Sequence, residues 1–573
     1  MLFVVTNSKR RIYILVLFYN YKMYLMITKK VVNGKLYRSG KIVESFRKQG
    51  NKFSHKIIRN LGPIKSEQEL EKFKEFVEEI KKGNELIKIS EISLNNSKIY
   101  GVFYAVSSLF EKYDVDNILK KYVNIGRYKF DNYNIIKALI INRIENPMSK
   151  NKAFAYIQKD YPVEINCRLE NLYSAIDTIY NNKESIEIEL FNLLKNTLSL
   201  DLEKVHYDLT SSYFEGKKCE IAFYGYSRDH RGDRKQIVIG LVMVDNIPVY
   251  HKVFEGNTVD KSTLTNVVNH LKEKFNLKKP TIIADRGLLT QDNIELLEDE
   301  EQNYILGFSK VGNKITEELL IKDVPIINEE KQSVILAKKE IVKRNEKEYV
   351  RNYILCLDHN TKTEQLETLE NVKKYIFEEL TSLQKQYKKS FERNKGSKIK
   401  YESLVIKVNK IISRNKRLFD INWSEKDKVN GFDFSLNNDW YKRERKAAGK
   451  FILITNTDES PDKILKSYKD LNDVESSFNC IKNQLEIRPI NHYKTNRVEA
   501  HVFICILALL MEKIMERLLK NMTAQKAIEE LKRITIAELQ LTNKKKRIVS
   551  KLNTEQNNIL NKLGINAINE KFV

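Results

Sequence analysis

A phenol, a carboxylate and an ammonium recur at intervals of seven residues in the stretch 468–485, YKDLNDVESSFNCIKNQL. If this stretch is helical, seven residues make about two turns, so Tyr468, Glu475 and Lys482 lie in one row. Apolar residues spaced by three and four predict such a helix, with one buried face formed by Leu471, Val474, Phe478, Ile481 and Leu485. These three side chains then either form a functional row at the edge of the buried face, or lie on a solvated edge of the helix with a coincidental spacing.

Two aspartates add carboxylates where a sheet presents side chains to a cleft. Asp208 lies in the segment VHYDLTSSYFEG, whose alternation predicts a strand, and Asp285 directly follows the buried strand TIIA. The carboxyl ends of buried strands face the crevice in which α/β sheets bind ligands. With Glu475, these aspartates would suit two Mg²⁺ ions about 4 Å apart, acting on a DNA phosphodiester. Taken singly, Asp208 could instead cap a turn with Thr210, and Asp285 could pair with Arg286.

The elements around these residues predict a mixed sheet flanked by helices. Residues 201–310 contain three successive strands with short connections, then a helix, a strand, a helix and a strand. This order favours an α/β sheet with helices on its faces. A looser and more basic stretch at 311–450 predicts an inserted subdomain, and residues 451–520 return to a strand and the helix that carries Glu475.

The two ends of the chain predict modules outside this sheet. Residues 1–95 contain turn signals at 33–34 and 50–51 between strands rich in Lys and Arg, followed by a charged helix. Residues 96–200 have helical spacing, and residues 521–573 predict a helical, basic end. We expect the basic β-hairpin module and the helical region after it to supply sequence-specific DNA binding.

The formal net charge of +24 indicates a polyanionic partner, of which double-stranded DNA is the commonest. Lysine and arginine are spread along the whole chain, which favours an extended binding surface over a basic arm. The basic segment 384–418 is either a solvated helical hairpin or a surface that clamps DNA. The five scattered cysteines lack any zinc-type spacing and indicate buried reduced thiols in a cytosolic protein.

An apolar run near the start, IYILVLFYNYKMYLMI, is broken by Asn20 and Lys22 and is shorter than a spanning helix of about 20 residues. No small-residue cleavage site follows it clearly, so we expect neither a signal peptide nor a membrane partner. Translation that starts at Met23 or Met26 rather than at Met1 is an equally open explanation of this run.

Three blocks in this order, YDLTS, ADRGL and Y-x6-E-x6-K, resemble the catalytic blocks of the DDE transposases of bacterial insertion sequences, in the group with a YREK signature. Segments such as INRIENPMSK and RVEAHVFICILALLM are similar too, and the resemblance covers roughly residues 27–545. It implies an RNase H-like core, with its first half at 201–310 and its second at 451–520. It also implies metal-dependent cut-and-paste transposition in the bacterial cytoplasm, at the nucleoid. The separation of 190 positions from Asp285 to Glu475 fits the β-rich insertion of that family.

The resemblance assigns roles to individual residues of this chain. Asp208, Asp285 and Glu475 would be the catalytic residues and the ligands of two Mg²⁺ or Mn²⁺ ions. Tyr468 and Lys482 fall on the Y and K of the signature, where they would contact DNA phosphates. The family also implies a dimer in the synaptic complex that holds the terminal inverted repeats and the target DNA.

One position departs from the signature, because Leu471 stands where an arginine is expected. Arg488 or Arg497 could supply the missing phosphate contact. Some relatives stack a flipped base on an aromatic side chain of the insertion, for which Trp440 or Trp423 could serve. His492 and His501 lie near the catalytic helix in sequence, and a core or phosphate-contact role suits them better than metal ligation.

Three functions compete at this level. The leading hypothesis is a transposase that binds terminal inverted repeats, cuts the strands and joins the 3′ ends to target DNA. Another RNase H-like DNA nuclease, such as a junction resolvase, would cut without forming a strand-transfer product on a second duplex. A non-catalytic DNA-binding protein descended from a transposase would bind such DNA without cutting it.

Overall fold

The computed structural model describes residues 5–7, 11–17, 23–32, 35–47, 53–81, 84–88, 92–124, 130–216, 218–259, 262–277, 279–309, 314–324, 332–392, 398–424, 431–541, 544–566 and 568. The chain divides into two compact units. The first comprises residues 1–105, 158–164 and 526–573, and the second comprises residues 106–157 and 165–525.

The strands are β1 (Val5–Asn7), β2 (Arg11–Leu17), β3 (Met23–Val32), β4 (Lys35–Arg47), β5 (Phe53–Ile64), β6 (Asn84–Lys88), β7 (Ile92–Ile99), β8 (Lys204–Tyr213), β9 (Gln236–Val244), β10 (Ile247–Phe254), β11 (Thr281–Ala284), β12 (Asn303–Phe308), β13 (Gln332–Arg344), β14 (Lys347–Asp358), β15 (Phe419–Trp423), β16 (Phe432–Leu436), β17 (Lys450–Thr455), β18 (Thr535–Leu541) and β19 (Lys544–Val549). The helices are α1 (Glu67–Lys81), α2 (Gly101–Lys112), α3 (Val115–Val123), α4 (Asn132–Glu145), α5 (Lys150–Lys159), α6 (Leu169–Asn181), α7 (Lys183–Thr197), α8 (Thr263–Phe275), α9 (Gln291–Asp299), α10 (Lys314–Leu320), α11 (His359–Glu392), α12 (Tyr401–Ile412), α13 (Asn438–Ala447), α14 (Pro461–Lys469), α15 (Leu471–Asn479), α16 (Thr495–Leu519), α17 (Ala524–Leu531) and α18 (Thr554–Lys562).

In the first unit, β3, β4 and β5 form the antiparallel sheet that the two turn signals predict. Val32 pairs with Lys35 across the first connection, and the turn residues themselves, 33–34 and 48–52, lie outside the described residues. Helix α1 packs its apolar face on this sheet because Phe73, Phe76, Val77 and Ile80 join Ile42 and Ile64 in one buried cluster. The apolar run near the start contributes β2, which pairs with β1 and β6.

The C-terminal end is not the helical segment that the sequence analysis predicts. β18 and β19 form a hairpin, and β18 also pairs with β7, so this sheet joins the two ends of the chain. The segment TIAELQL alternates apolar and polar residues, which is a strand period, but it is short and lies between basic runs. The pairing with β7 also makes residues 92–99 a strand, so the start of the predicted helical region at 96 is wrong.

In the second unit, eight strands form one mixed sheet in the order β10-β9-β8-β11-β12-β17-β14-β13. β8, β9 and β10 form the predicted antiparallel meander, whereas β11 pairs in parallel with both β8 and β12. Every residue of β9 is buried, as its continuous β-branched run predicts. Strands β10, β9, β8, β11 and β12 have the order and directions of an RNase H-like core. The predicted fold class is thereby confirmed.

Helices flank this sheet and supply its remaining core. α16 packs against β10 and against α4 and α6, and α15 packs against β8. Most of α16 is buried, which agrees with its prediction as a core helix. Among the described residues, none of the helices combines the length and the apolar composition needed to cross a membrane. The five cysteines are free thiols, four of them buried, as predicted.

The inserted segment is not the β-rich insertion that the resemblance implies. Its first two strands, β13 and β14, extend the main sheet beyond β17. The rest, α11, α12, α13 and the hairpin β15-β16, surrounds a separate apolar cluster that includes Leu380, Tyr387 and Leu404. Trp423 and Trp440 pack against this cluster, so their contacts here are core contacts, and their role in base stacking stays a prediction.

Candidate active site

The three predicted carboxylates, Asp208, Asp285 and Glu475, line one open cleft of about 380 Å³ in the second unit. The register of the sheet explains how the two aspartates meet. Ala284 of β11 pairs in parallel with Tyr207 of β8, so the residues that follow them, Asp285 and Asp208, lie side by side on neighbouring strands. Glu475 comes from α15, which packs against β8.

Burial and neighbouring carboxylates raise the pKa of Asp208 to about 7. Burial is the largest cause, and the charges of Asp285 and Glu475 raise this pKa further. The backbone N–H of Leu209 and the guanidinium of Arg228 act in the opposite direction. Carboxylates close enough to repel one another share a site at neutral pH only if a proton or a cation neutralises part of their charge. The cleft is therefore suited to hold positive charge.

The donor set of the cleft fits a hard divalent cation. Within the described part of the chain, no three His, Cys, Asp or Glu side chains stand together as a complete ligand cluster. Mg²⁺ does not require one, since it takes one or two carboxylates and completes its shell with water and phosphate oxygens. Asp208, Asp285 and Glu475 supply such oxygens in a cleft that is open to both.

We expect the affinity of this cleft for Mn²⁺ to fall about tenfold for each pH unit below 7 and to level off above it. A bound cation requires ionised Asp208, whose pKa lies at about 7, so below that pH each binding event displaces one proton. Calorimetric titration in two buffers of different ionisation enthalpy measures this proton release, which should approach one proton near pH 6 and vanish near pH 8.5. Asp208→Asn should abolish the release, and an affinity that does not change with pH in the wild-type protein would contradict the assignment.

Comparison with known families identifies the chain. Residues 205–511 match the family described as the transposase DDE domain, and this match covers more than half of the chain and all three carboxylates. The chain belongs to the transposase DDE-domain family. Residues 25–91 match the N-terminal domain of the IS1634 family of transposases. The predicted membership in the insertion-sequence DDE transposases is thereby confirmed, while the YREK subgroup stays a prediction.

No curated protein sequence matches the chain. Among solved structures, a cryo-EM structure of a piggyBac transposase synaptic complex with hairpin DNA is similar at 10% identity and a TM-score of 0.34, over 75% of this chain and 79% of that chain. The family membership makes this protein a DNA transposase, which is an enzyme that binds DNA, cleaves it and transfers strands with the help of divalent metal ions.

In this transposase the helix predicted across 468–485 is interrupted twice. α14 ends at Lys469, α15 covers Leu471–Asn479, and a π-helical turn covers Cys480–Gln484. A π-helical turn holds more residues than an α-helical turn, so the positions after it are rotated from where a continuous α-helix would place them. The prediction of one continuous helix is therefore wrong. Glu475 and Lys482 nevertheless both line the cleft.

Tyr468 positions one of the carboxylates. Its hydroxyl donates a hydrogen bond to Asp285 Oδ1 at 2.9 Å. Gly307 in β12 makes room for this contact, because a Cβ there would lie 2.5 Å from the Tyr468 hydroxyl. The predicted contact of Tyr468 with a DNA phosphate stays a prediction.

Lys482 lines the cleft but is held by an aspartate that the sequence analysis missed. Its Nζ donates to Asp229 Oδ1 at 2.7 Å, and Arg488 Nη1 lies 3.0 Å from Asp229 Oδ2. The side chains of Asp229 and Lys482 are only 7% and 14% exposed, which rules out a solvated edge as the environment of Lys482. The signal available in the sequence is the run SRDHRGDRK, which alternates cations and aspartates shortly after the strand of Asp208.

The position of the missing signature arginine is occupied by buried Leu471, as its place on the apolar face predicts. Arg228, which the sequence analysis also missed, lines the cleft together with the three carboxylates. Arg497 instead forms a two-point ion pair with Asp177, at 2.9 and 2.8 Å, and is not among the residues that line the cleft. A role for Arg497 in DNA binding stays a prediction.

The two histidines near the catalytic helices are neutral and lie outside the cleft. Burial lowers the pKa of His492 to about 4 and that of His501 well below its ordinary value. His501 Nε2 donates to the carbonyl of Ile487 at 3.0 Å. This environment agrees with a core or phosphate-contact role rather than with ligation of a metal in the carboxylate cleft.

Proposed function

We propose that this transposase moves a DNA element by cut-and-paste: it binds the terminal inverted repeats, cuts the strands and joins the 3′ ends to target DNA. The observation that carries the proposal is the convergence of Asp208, Asp285 and Glu475 on one cleft inside the family domain. The parallel register of β8 and β11 supports it, because this register sets the two aspartates beside each other.

Asp208, Asp285 and Glu475 would hold two Mg²⁺ or Mn²⁺ ions. When bound, the ions activate a water or a 3′-hydroxyl and stabilise the departing oxygen of the phosphodiester. Tyr468 would keep Asp285 oriented through its hydrogen bond. Arg228, rather than Arg497, would replace the missing arginine of the signature, because its guanidinium already acts on Asp208 inside the cleft.

The N-terminal sheet would supply part of the recognition of the terminal repeats. Lys29 pairs with Arg38 and Lys30 with Tyr37 across β3 and β4, so cations and an aromatic ring lie next to one another on adjoining strands. Lys29 and Lys30 are exposed. Arg38 is already paired with Glu67 at 2.7 Å, so the exposed Lys29 and Lys30 are the cations of these strands that a phosphate backbone would contact.

Replacing both Lys29 and Lys30 by Ala should weaken binding to a terminal-repeat duplex about tenfold near 0.1 M salt. Each lost phosphate contact lowers the slope of log affinity against log salt by about 0.9, so the slope should shrink by about two. Fluorescence anisotropy over a salt series measures both quantities on the full chain. Lys74→Ala is the matched control, since Lys74 lies on α1 and pairs with Glu71. A salt slope equal to that of the wild type would contradict this role of the N-terminal sheet.

We further propose that two copies of the chain act in the synaptic complex, in the bacterial cytoplasm at the nucleoid. Joining two element ends to one target requires two sets of catalytic carboxylates, and each chain carries one such set in the family domain. Light scattering of the complex with terminal-repeat DNA should give the mass of two chains plus two bound duplexes, and the mass of one chain plus one duplex would contradict the proposal.

The test of the proposed function is a cleavage and joining assay with the full chain. The substrate is a duplex that carries the terminal repeat flanking the gene, with Mg²⁺ and a supercoiled target plasmid. Cleavage at the repeat and joined products on the plasmid are expected. Cleavage without joining would favour another RNase H-like nuclease, and binding without cleavage would favour a non-catalytic descendant.

A further inference from the structure

A second pocket in the same unit, of about 660 Å³, is lined by cations rather than carboxylates. It lies between the start of α5 and the segment that follows the π-helical turn, and its charged and imidazole side chains are Arg143, Lys150, Lys152, Arg488, His492 and His501, with Glu486 as the one acidic residue among those that line it. We call it the cationic pocket. None of the carboxylates of the catalytic cleft lines it.

Lys150 is the unusual member of the cationic pocket, because it is buried without a counter-charge. Only 5% of the residue is exposed, and its Nζ lies 3.4 Å from His501 Nδ1. His501 donates its Nε2 proton to the carbonyl of Ile487, so Nδ1 is the acceptor and the ring is neutral. Among the described residues no carboxylate lies within ion-pairing distance of Lys150, and the imidazole uses one of the three donors of its ammonium.

Arg143 is a second buried cation of this kind. It is 5% exposed, and its guanidinium donates to the carbonyls of Glu486 at 3.2 Å and Met148 at 2.8 Å. Carbonyl oxygens fix the position of the guanidinium but do not neutralise it. Burial and the charge of Arg143 lower the pKa of Lys150 to about 7. Below that pH two neighbouring cations are removed from water, and among the described residues no anion pairs with Lys150, which is costly unless a ligand supplies the anion.

The backbone of helix α5 also favours an anionic ligand in the cationic pocket. Helix α5 begins at Lys150, and the amide groups of a first helical turn have no acceptor within the helix. Such a terminus attracts phosphate through these N–H groups and through the helix dipole. Arg488 also lines the cationic pocket and connects it to the catalytic cleft, since it shares Asp229 with Lys482.

We propose that the cationic pocket binds a phosphate of the DNA backbone outside the scissile position, with Lys150 as its central contact. The proposal rests on the proposed function, because it assumes that DNA lies along the catalytic cleft. Arg488 and Lys482 then form a path of positive charge between the two sites, and a bound strand would contact both. Lys150 is a binding residue here and takes no part in the chemistry.

Lys150→Met in the full chain tests the proposal, because binding and stability should change in opposite directions. At pH 6, where Lys150 is mostly protonated, removing this uncompensated buried charge should leave the melting temperature in phosphate-free buffer unchanged or higher. Affinity for a terminal-repeat duplex, measured in EDTA so that only binding is seen, should fall about tenfold, with the salt slope smaller by about one. Inorganic phosphate should raise the melting temperature of the wild type above that in chloride of equal ionic strength, and it should not do so for Lys150→Met. Lys279→Met is the matched control, because it removes the same charge from an exposed pair with Glu301. It should change neither the melting temperature nor the affinity for the duplex.

Two results would overturn the proposal. If Lys150→Met melts lower than the wild type and binds DNA equally well, Lys150 is a structural partner of His501. If inorganic phosphate stabilises the wild type but DNA binding is unchanged in the variant, the pocket takes a free anion and not the backbone. Because these measurements need no cleavage, an inactive wild-type protein would contradict the proposed function and leave this result intact.

Discussion

Asp208→Asn, Asp285→Asn and Glu475→Gln should each lower the rate of nicking of a terminal-repeat duplex by about a thousandfold or more in Mg²⁺. A carboxamide keeps the shape of the carboxylate but loses the charge that holds the cation. Divalent cations contribute several kcal/mol of transition-state stabilisation, and each 1.4 kcal/mol is tenfold in rate. Nicking is measured in single-turnover reactions on a labelled duplex, with binding of the same duplex measured in EDTA. Binding should remain close to that of the wild type.

The double variants sharpen this expectation. Since the three carboxylates line one cleft and act as one unit, the doubles should be scarcely slower than the singles. Asp292→Asn, an exposed aspartate in the first turn of α9, is the matched control and should nick at the wild-type rate. Robust nicking in Mg²⁺ by any one of the three single variants would remove that residue from the catalytic set.

A stability measurement separates loss of the cation from loss of the fold. The pKa of Asp208 is about 7 in the folded protein, whereas an unfolded chain has an ordinary aspartate pKa near 3.9. The folded state therefore binds more protons between about pH 4 and pH 7, and its stability without metal falls as pH rises through that window. Asp208→Asn removes this penalty, which amounts to about 4 kcal/mol for a difference of about 3 pKa units. In EDTA at pH 8, Asp208→Asn should melt higher than the wild type, while losing activity.

The strands of the core and the positions of the aspartates could be predicted from the sequence, because the responsible signals are local. Alternation in VHYDLTSS and the continuous run in β9 identify strands by their own residues, and TIIA ends directly before Asp285. Asp208 and Asp285 are brought together by the parallel pairing of β8 with β11, which no local signal predicts. Their meeting could be expected only because YDLTS and ADRGL resemble catalytic blocks of a known family. Glu475 could be assigned to a helix, although the interruption of that helix could not.

Other features depend on partners far away in the chain and left no comparable signal. The hairpin of β18 and β19 gains a third strand from β7, more than 400 residues earlier, whereas the basic residues around it favour a helical tail. Asp229 meets Lys482 across 253 residues, and the charged run SRDHRGDRK around Asp229 gives no indication of which distant residue is its partner. Lys150 is similar, since an isolated lysine at the start of a helix looks exposed until the packing of α16 and the segment before it buries the residue.

The pair of Asp229 with Lys482 leads to a prediction with opposite signs on two measurements. In Lys482→Ala the carboxylate of Asp229 keeps its ion pair with Arg488, so the fold should lose little stability. Strand transfer and engagement of the terminal repeat should fall about 10- to 100-fold, because a hydrogen bond to a charged group contributes about 1.5 to 3 kcal/mol. Metal binding in the cleft should be unchanged.

Asp229→Asn should do the reverse. It leaves Lys482 and Arg488 side by side with no counter-charge in a largely buried place, which should cost about 3 kcal/mol of unfolding free energy. Both cations then become available to DNA phosphate, so affinity for the terminal-repeat duplex should rise several-fold.

Asp233→Asn is the matched control, because Asp233 pairs with Arg231 in the same loop but is exposed. Chemical denaturation and fluorescence anisotropy measure the two quantities. If both variants lose stability and neither changes DNA binding, the pair is purely structural and Lys482 has no contact with DNA.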